Sequence, residues 1–445
     1  MNVPDAVHAV FPTVLDDLAA LVAIPSVSAL PQHAADVTRS AEWVRDQLAG
    51  LGCPEVRIVA EGGMPAVIGH FPAPAGAPTV CLYAHHDVQP TGALAEWSSD
   101  PFVVREADGR LFARGVADDK AGVLVHLAAL RAFGGRPPVG VVVFVEGEEE
   151  IGSPSLADLI ARHHDDLAAD LYVIADSVNW GVGQPAFTTT LRGLVDCTVE
   201  VSTLDHALHS GQFGGPVPDA LTTLCRLLAT LHDDAGNVAI EGLGGMPDPA
   251  LDYPEDQLRA EAAVLPGVRL LGTGTIAGRL WAKPTATVLG IDATSVADAS
   301  NTLAPTARAK VSVRIAPDAD PTAALAALTE HLRRHAPWGA QVTVTDGSTG
   351  SGTAIAFDGP VGRAARAAFV EAWGVEPAFI GQGGSIPMVA DFQQAFGAAD
   401  VLVTAVSDPD SRPHGIDESL HLDDFKKACL AEALLLAKLA EASQL

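Results

Sequence analysis

The sequence predicts an α/β protein with a mixed, mostly parallel sheet sandwiched by helices, interrupted by an inserted, smaller α+β domain. Three observations carry this reading. Runs of β-branched residues without polar alternation, such as residues 139–145, mark strands buried on both faces. These runs alternate with segments of helical periodicity, the grammar of a layered α/β domain. From about residue 191 the strands begin to alternate apolar and polar positions, as in residues 194–202, which suits an antiparallel sheet open to solvent on one face.

In chain order, apolar side chains at helical spacing predict a helix over 7–22, and a second over 35–50 is stopped by Gly52 and Pro54. Strands are expected at 56–60, 66–71 and 79–84, the last two joined by the turn PAPAGAP. A helix over 121–133, a buried strand over 139–147, a helix over 154–164 and a strand over 171–175 follow. In the inserted part we expect strands at 194–202, 286–290, 307–315 and 341–344 with helices at 219–231 and 322–335; residues 242–278, rich in Gly and Pro, carry no clear pattern. The first domain resumes with helices over 359–373 and 385–396, a strand over 401–405 and a final helix over 423–442. The expected division is therefore 1–190, 191–347 and 348–445, with the first and last parts forming one domain.

Composition narrows the function. A chain of 445 residues exceeds what one hydrophobic core usually serves, and 48% hydrophobic against 18% charged residues argues against disorder. With 27 basic and 55 acidic residues the formal charge is −28, which repels phosphate backbones and anionic lipid, so neither nucleic acid nor membrane is an expected partner. Solubility accounts for most of that acidity. The five cysteines are scattered without a CxxC pair, as in proteins with reduced thiols. No basic segment precedes an apolar run at the N-terminus, and no aliphatic stretch is long enough for a bilayer, so a cytoplasmic location is expected.

Metal-type ligands gather in three clusters, each at the end of an apolar run or on the turn after one: YAHHDVQP, RGVADDKAG and FVEGEEEIGS. In the first, Asp87 stands where its carboxylate can accept a hydrogen bond from a histidine ring and strengthen the other nitrogen as a ligand. A solvated strand end would look the same, and His86 rivals His85 for the ligand role. Asp118-Asp119-Lys120 precedes a helix, where N-capping is the stronger reading of that motif alone. Glu146, Glu148, Glu149 and Glu150 crowd the end of a buried strand and repel one another unless cations or solvent compensate. Asp176 and His414 gain weight only from this company. Together these carboxylates and imidazoles, without thiolates, suit zinc, manganese or cobalt in a hydrolytic site.

The ordered series YAHHDVQP, RGVADDKAG, EGEEEIGS, ADSVNW, ALHSGQFGG, SVRIAP, GQGGSIP and the late His414 resembles the co-catalytic metallopeptidase family of carnosinase-type dipeptidases, aminoacylases, carboxypeptidase G and succinyl-diaminopimelate desuccinylase. That resemblance covers nearly the whole chain. It implies a centre of two divalent metal ions, zinc first and manganese or cobalt as alternatives, with His85 and Asp176 on one, Glu150 and His414 on the other, and Asp118 bridging. It further implies that Asp87 orients His85, that Glu149 is the general base, and that the Asp118-Asp119 peptide is cis. His209, Asn301, Arg314, Gly384 and Ser385 match substrate-binding positions, His209 being supplied from the partner subunit of a homodimer formed through the inserted domain. The departures are small: His86 stands where an aromatic is common, and Ala84 and Ala121 occupy positions that are frequently small or glycine. Aspartate at 176, where carboxypeptidase G and the desuccinylase have glutamate, favours a dipeptidase or aminoacylase, and a dipeptidase acting on substrates with a free C-terminal carboxylate is the first choice. The alternatives are an N-acyl-amino-acid deacylase and a catalytically silent metal-dependent binding protein.

Overall fold

The computed structural model describes residues 2–357, 359–384, 387–397 and 399–442. The chain divides into two compact units, one of Met1–Thr189 with Ile355–Ile380 and Pro387–Leu445, the other of Thr190–Ala354 with Gly381–Ile386.

The first unit is built on a mixed sheet with a parallel centre. Its strands lie in the order Glu55–Val59, Ala66–Phe71, Gly140–Glu146, Thr79–His85, Leu171–Ile174, Asp400–Val403 and Ala186–Leu191. The four from Gly140–Glu146 to Asp400–Val403 run parallel, and the others pair antiparallel at the two sides. Gly140–Glu146 is buried at every position, so its unbroken apolar run needs cover on both faces. One cover comes from helices Val3–Val22, Lys120–Ala132, Pro360–Trp373 and Leu422–Ala442, whose apolar residues join one core with Val80, Leu82, Val141 and Val143. Lys120–Ala132 is apolar almost all round and correspondingly buried all round. On the other face Tyr83, Phe144, Tyr172, Phe392 and Phe396 form a ring cluster that seats the helix Pro387–Ala395. The sandwich predicted from sequence is thus the fold.

The second unit is a four-stranded antiparallel sheet in the order Thr285–Asp292, Thr306–Ile315, Gly193–Ser202, Gln341–Gly350. Helices Ala220–Ala229 and Pro321–Arg334 cover one face, with Leu224, Leu227, Leu328 and Leu332 packed in one core with Val195, Val199, Val311 and Val313. Intervening positions such as Thr198, Ser312 and Arg314 turn to the other face, the alternation read in the sequence.

Several elements escaped pattern reading because they are too short to show a period. Arg105–Ala107, Arg110–Phe112 and Ser419–His421 form a three-stranded sheet that joins segments some 300 residues apart in sequence. The strand Ala378–Gln382 and the helices Glu255–Glu261 and Ile276–Trp281 are likewise short. The helix expected over 154–164 is two pieces, Leu156–Arg162 and His164–Leu167. No helix among the described residues is long and apolar enough to cross a membrane.

Candidate metal centre

The parallel strands deliver their carboxyl ends to one place, where α/β proteins gather function. His85 is the last residue of its strand, Glu146 ends the neighbouring strand, and Asp176 follows Leu171–Ile174 by two residues. There, among the described residues, two groups of donor atoms form, each with its atoms within 4.8 Å of one another: His85, Asp118 and Asp176, and Asp118, Glu150 and His414. Asp118 belongs to both. Its Oδ1 lies 3.2 Å from His85 Nε2 and its Oδ2 lies 3.1 Å from His414 Nε2. His414 Nε2 is also 3.1 Å from Glu150 Oε2, and His85 Nε2 is 3.8 Å from Asp176 Oδ2.

The surroundings sort the residues that sequence alone left open. His85 Nδ1 lies 3.1 Å from the Asp87 carbonyl and 3.3 Å from its carboxylate, so a proton held there leaves Nε2 free as a ligand atom. The two Asp87 carboxylate oxygens also accept the backbone N–H groups of Glu149 and Glu150, each at 3.2 Å, so one buried side chain holds both the first ligand strand and the glutamate turn. His86 turns elsewhere. Its Nε2 donates to the Pro65 carbonyl at 2.9 Å, and burial pushes the ring down to about 4, keeping it neutral. Asp119 occupies the N-cap position of Lys120–Ala132 without a side-chain cap bond; its Oδ2 accepts the His85 N–H instead. The Asp118-Asp119 peptide is cis.

The four crowded glutamates separate in the same way. Glu146 accepts from the Tyr83 hydroxyl at 2.7 Å. Glu148 accepts from Met64 N and from Ser155 N and Oγ. Glu150 accepts from Gln89 N and Nε2, a support the sequence reading did not identify. Glu149 alone of the four accepts no hydrogen bond among the described residues, and its carboxylate stands 3.9 Å from His85 Nε2.

The donor set fits divalent cations. Burial raises Asp176 to about 7 and Glu149 to about 8, and neighbouring carboxylates add to the effect. Burial also opposes ionisation of Asp118, but hydrogen bonds from His414 and His85 outweigh it and hold this carboxyl below the usual range. Five carboxylates facing two imidazoles is an excess of negative charge that cations relieve, and imidazole plus carboxylate without thiolate suits zinc, manganese or cobalt. With that geometry in view, the comparisons are decisive: residues 81–438 match the model of Peptidase family M20/M25/M40.

The chain belongs to this family. It is 34% identical to the cysteinylglycine-S-conjugate dipeptidase of Corynebacterium striatum over 94% of each chain. It is 29% identical to the Cys-Gly metallodipeptidase of Schizosaccharomyces pombe over 92% of each. Human carnosine dipeptidase 1 superposes with a TM-score of 0.78 at 25% identity, covering 99% of this chain and 98% of that one. As a member of the M20/M25/M40 family the chain is a metallo-hydrolase of peptide bonds.

The residues expected to meet substrate in this M20/M25/M40 member lie in the second unit. His209 ends the two-residue strand Leu208–His209, paired with Thr302–Leu303, and its Nδ1 accepts from Gly211 N at 3.1 Å. Asn301 is next to it, its carbonyl accepting the Ser210 N–H. Arg314 is half-buried opposite Leu194 and Thr285 on the neighbouring strands. A second guanidinium, which motif reading passed over, stands beside it. Buried Arg192 donates to the carbonyls of Gly383 and Lys283 and to Thr285 Oγ1, and burial together with Arg314 lowers its pKa to about 10. Neither arginine pairs with a carboxylate among the described residues. Gly384 follows the Gly383 turn that Arg192 holds, whereas Ser385 lies outside the described residues.

Proposed function

We propose that the chain is a two-metal dipeptidase, cleaving the amide bond of a dipeptide that carries a free C-terminal carboxylate. The observation that carries the reading is Asp118, which turns one oxygen to each of two histidine-carboxylate groups beside the unengaged carboxylate of Glu149. His85 and Asp176 would hold one ion, Glu150 and His414 the other, with Asp118 shared and zinc the first candidate. Such a pair of ions, when bound, acidifies a water and polarises the scissile carbonyl.

The protein supplies the remainder. Glu149, accepting no hydrogen bond among the described residues, takes the proton of the attacking water and returns it to the leaving amine, general acid–base work that contributes roughly 100- to 10,000-fold. Asp87 holds His85 in its ligating tautomer and fixes the backbone of the glutamate turn, so that Glu149 and Glu150 keep separate roles. Arg314 offers a planar fork to the substrate carboxylate. Arg192, with no carboxylate partner among the described residues, adds positive potential there and holds the Gly383 turn; Gly384 then offers a backbone N–H group, and Asn301 a side-chain amide. His209 comes from a second copy and polarises the scissile carbonyl. That homodimer is proposed through the edge strand Thr285–Asp292, which exposes Val288, Leu289 and Ile291 and whose outer edge has no partner strand among the described residues. The mostly buried free cysteines suit a reducing, cytoplasmic setting.

Dipeptides are preferred because the similar chains from Corynebacterium striatum and Schizosaccharomyces pombe are named for dipeptidase activity. The test is turnover on Cys-Gly, β-Ala-His, their C-terminal amides and N-acyl amino acids, with metal content measured before and after chelation. We expect two ions per chain, hydrolysis of dipeptides, and at least a tenfold loss of kcat/KM on the amides. Preferential hydrolysis of N-acyl amino acids would replace the dipeptidase reading.

A further inference from the structure

Glu418 lies four residues beyond His414 and is fully buried. Its Oε1 accepts the backbone N–H groups of Ala117 at 2.9 Å and Asp118 at 3.0 Å. Its Oε2 accepts Gly115 N at 2.9 Å and Arg114 Nη1 at 2.7 Å. Arg114, itself buried, passes Nη2 to the carbonyls of Gly415 at 3.1 Å and Pro90 at 3.3 Å. Two side chains therefore tie together three segments: the one that follows His85, the one that carries Asp118, and the loop that carries His414.

That loop's own bonds are short-range, Ser411 N–H to the Asp408 carbonyl and Gly415 N–H to the Arg412 carbonyl, with Asp417 accepting from Ser98 N and Oγ. Arg412, His414 and Asp417 all have positive φ, at 54°, 61° and 55°, a conformation L residues adopt at a cost of about 1 kcal/mol each. The His414 side chain is 58% exposed, so burial of the ring does not fix it either. Beyond those bonds, the loop is held against the Asp118 segment by Arg114 and Glu418.

We propose that the Arg114-Glu418 pair is a positioning device: it sets the Asp118 backbone and the His414 loop at the spacing that lets one carboxylate serve both ligand groups. Neither residue touches substrate or the reacting atoms. The inference rests on the two-metal reading given above, and it predicts that the ion held by Glu150 and His414 depends on this pair.

A nearby ion pair serves as the control. Asp408 accepts from Arg110 Nη2 at 2.8 Å, is as buried as Glu418, and sits beside the same three-stranded sheet. Its other bonds go to Asp410 and Ser411, not to the Asp118 segment. The experiment compares Glu418→Gln, Glu418→Asp and Asp408→Asn as full-length holoprotein, titrated with zinc against a competing chelator, with Tm measured with and without zinc. Gln places an NH2 against donors whichever way it is turned. We expect E418Q to weaken the second zinc by roughly 10- to 100-fold, the range for groups that orient ligands, with kcat falling by up to about the same factor and KM little changed. E418D should recover part of that affinity. D408N should lower Tm yet keep both zinc affinities. Wild-type zinc affinity in E418Q, or equal loss in D408N, overturns the proposal. Should E418Q not fold, Arg114→Lys decides on the same readout, because one ammonium cannot reproduce the bonds to Glu418 and both carbonyls. A wild-type chain that never binds two ions would instead sink the two-metal reading itself.

Discussion

The two ligand groups share Asp118 but are made of different material. His85 ends one of two adjacent parallel strands and Asp176 follows the other by two residues, and His85 is wholly buried. Glu150 stands on a single turn of 3-10 helix, Glu149–Ile151, and His414 on a strained loop with a mostly exposed ring. Strand ends inherit their positions from the sheet. Loop ligands need separate anchors, and the structure provides them in Gln89 for Glu150 and the Arg114-Glu418 pair for the His414 loop. A difference in scaffold should therefore appear as a difference in how tightly each ion is held.

Removing the shared residue abolishes the comparison altogether. Asp118→Ala should lose both ions and all measurable turnover while the far-UV circular dichroism persists; two ions retained in elemental analysis would show that Asp118 is not shared. Glu149→Gln should leave both ions in place and lower kcat by ~100- to 10,000-fold, the span of general acid–base contributions. Substantial activity in that variant removes Glu149 as the base.

The asymmetry itself is probed by His414→Ala against His85→Ala. The first should retain one ion and nearly the wild-type Tm of the metal-free protein, because an exposed loop ring contributes little packing. The second should lower that Tm by several degrees as well, since truncating a buried side chain costs on the order of 2–4 kcal/mol. Equal Tm values would deny the difference in scaffold. Asp87→Asn is expected to be milder, a roughly 10- to 100-fold loss of affinity or activity. Isothermal titration with zinc would locate that loss in the His85 group first. The gentlest perturbation is slow dialysis against a weak chelator, in which the ion of the Glu150-His414 group should leave before that of the His85-Asp176 group. Simultaneous release would erase the distinction.

Much of this molecule is legible one segment at a time. The unbroken Val-rich run at 139–145 demands burial on both faces, and the alternating residues 194–202 demand a half-open sheet; both demands are met. The residue types of the candidate donor groups were likewise legible, since carboxylates and histidines at strand ends are a local pattern. Other features are not local. His85 and His86 are chemically identical neighbours, and their partners tell them apart, the Pro65 carbonyl on His86 and the Asp87 and Asp118 groups on His85. The four glutamates are equivalent until Tyr83, Met64, Ser155 and Gln89 claim three of them and leave Glu149 free. Asp119 reads as a helix cap and instead steadies the His85 backbone.

By itself, then, the sequence determined the sheet sandwich, the change of strand grammar near residue 191 and the chemical character of the centre, because these depend on periodicity and residue type within short windows. Tertiary structure alone decided which histidine turns to Asp118, which glutamate accepts no hydrogen bond among the described residues, and that Glu418 reaches back some 300 residues to the segment of that aspartate. Those are pairings between hydrogen-bonding groups that no period in the chain records, and they form only when the folded sheet brings the groups within reach.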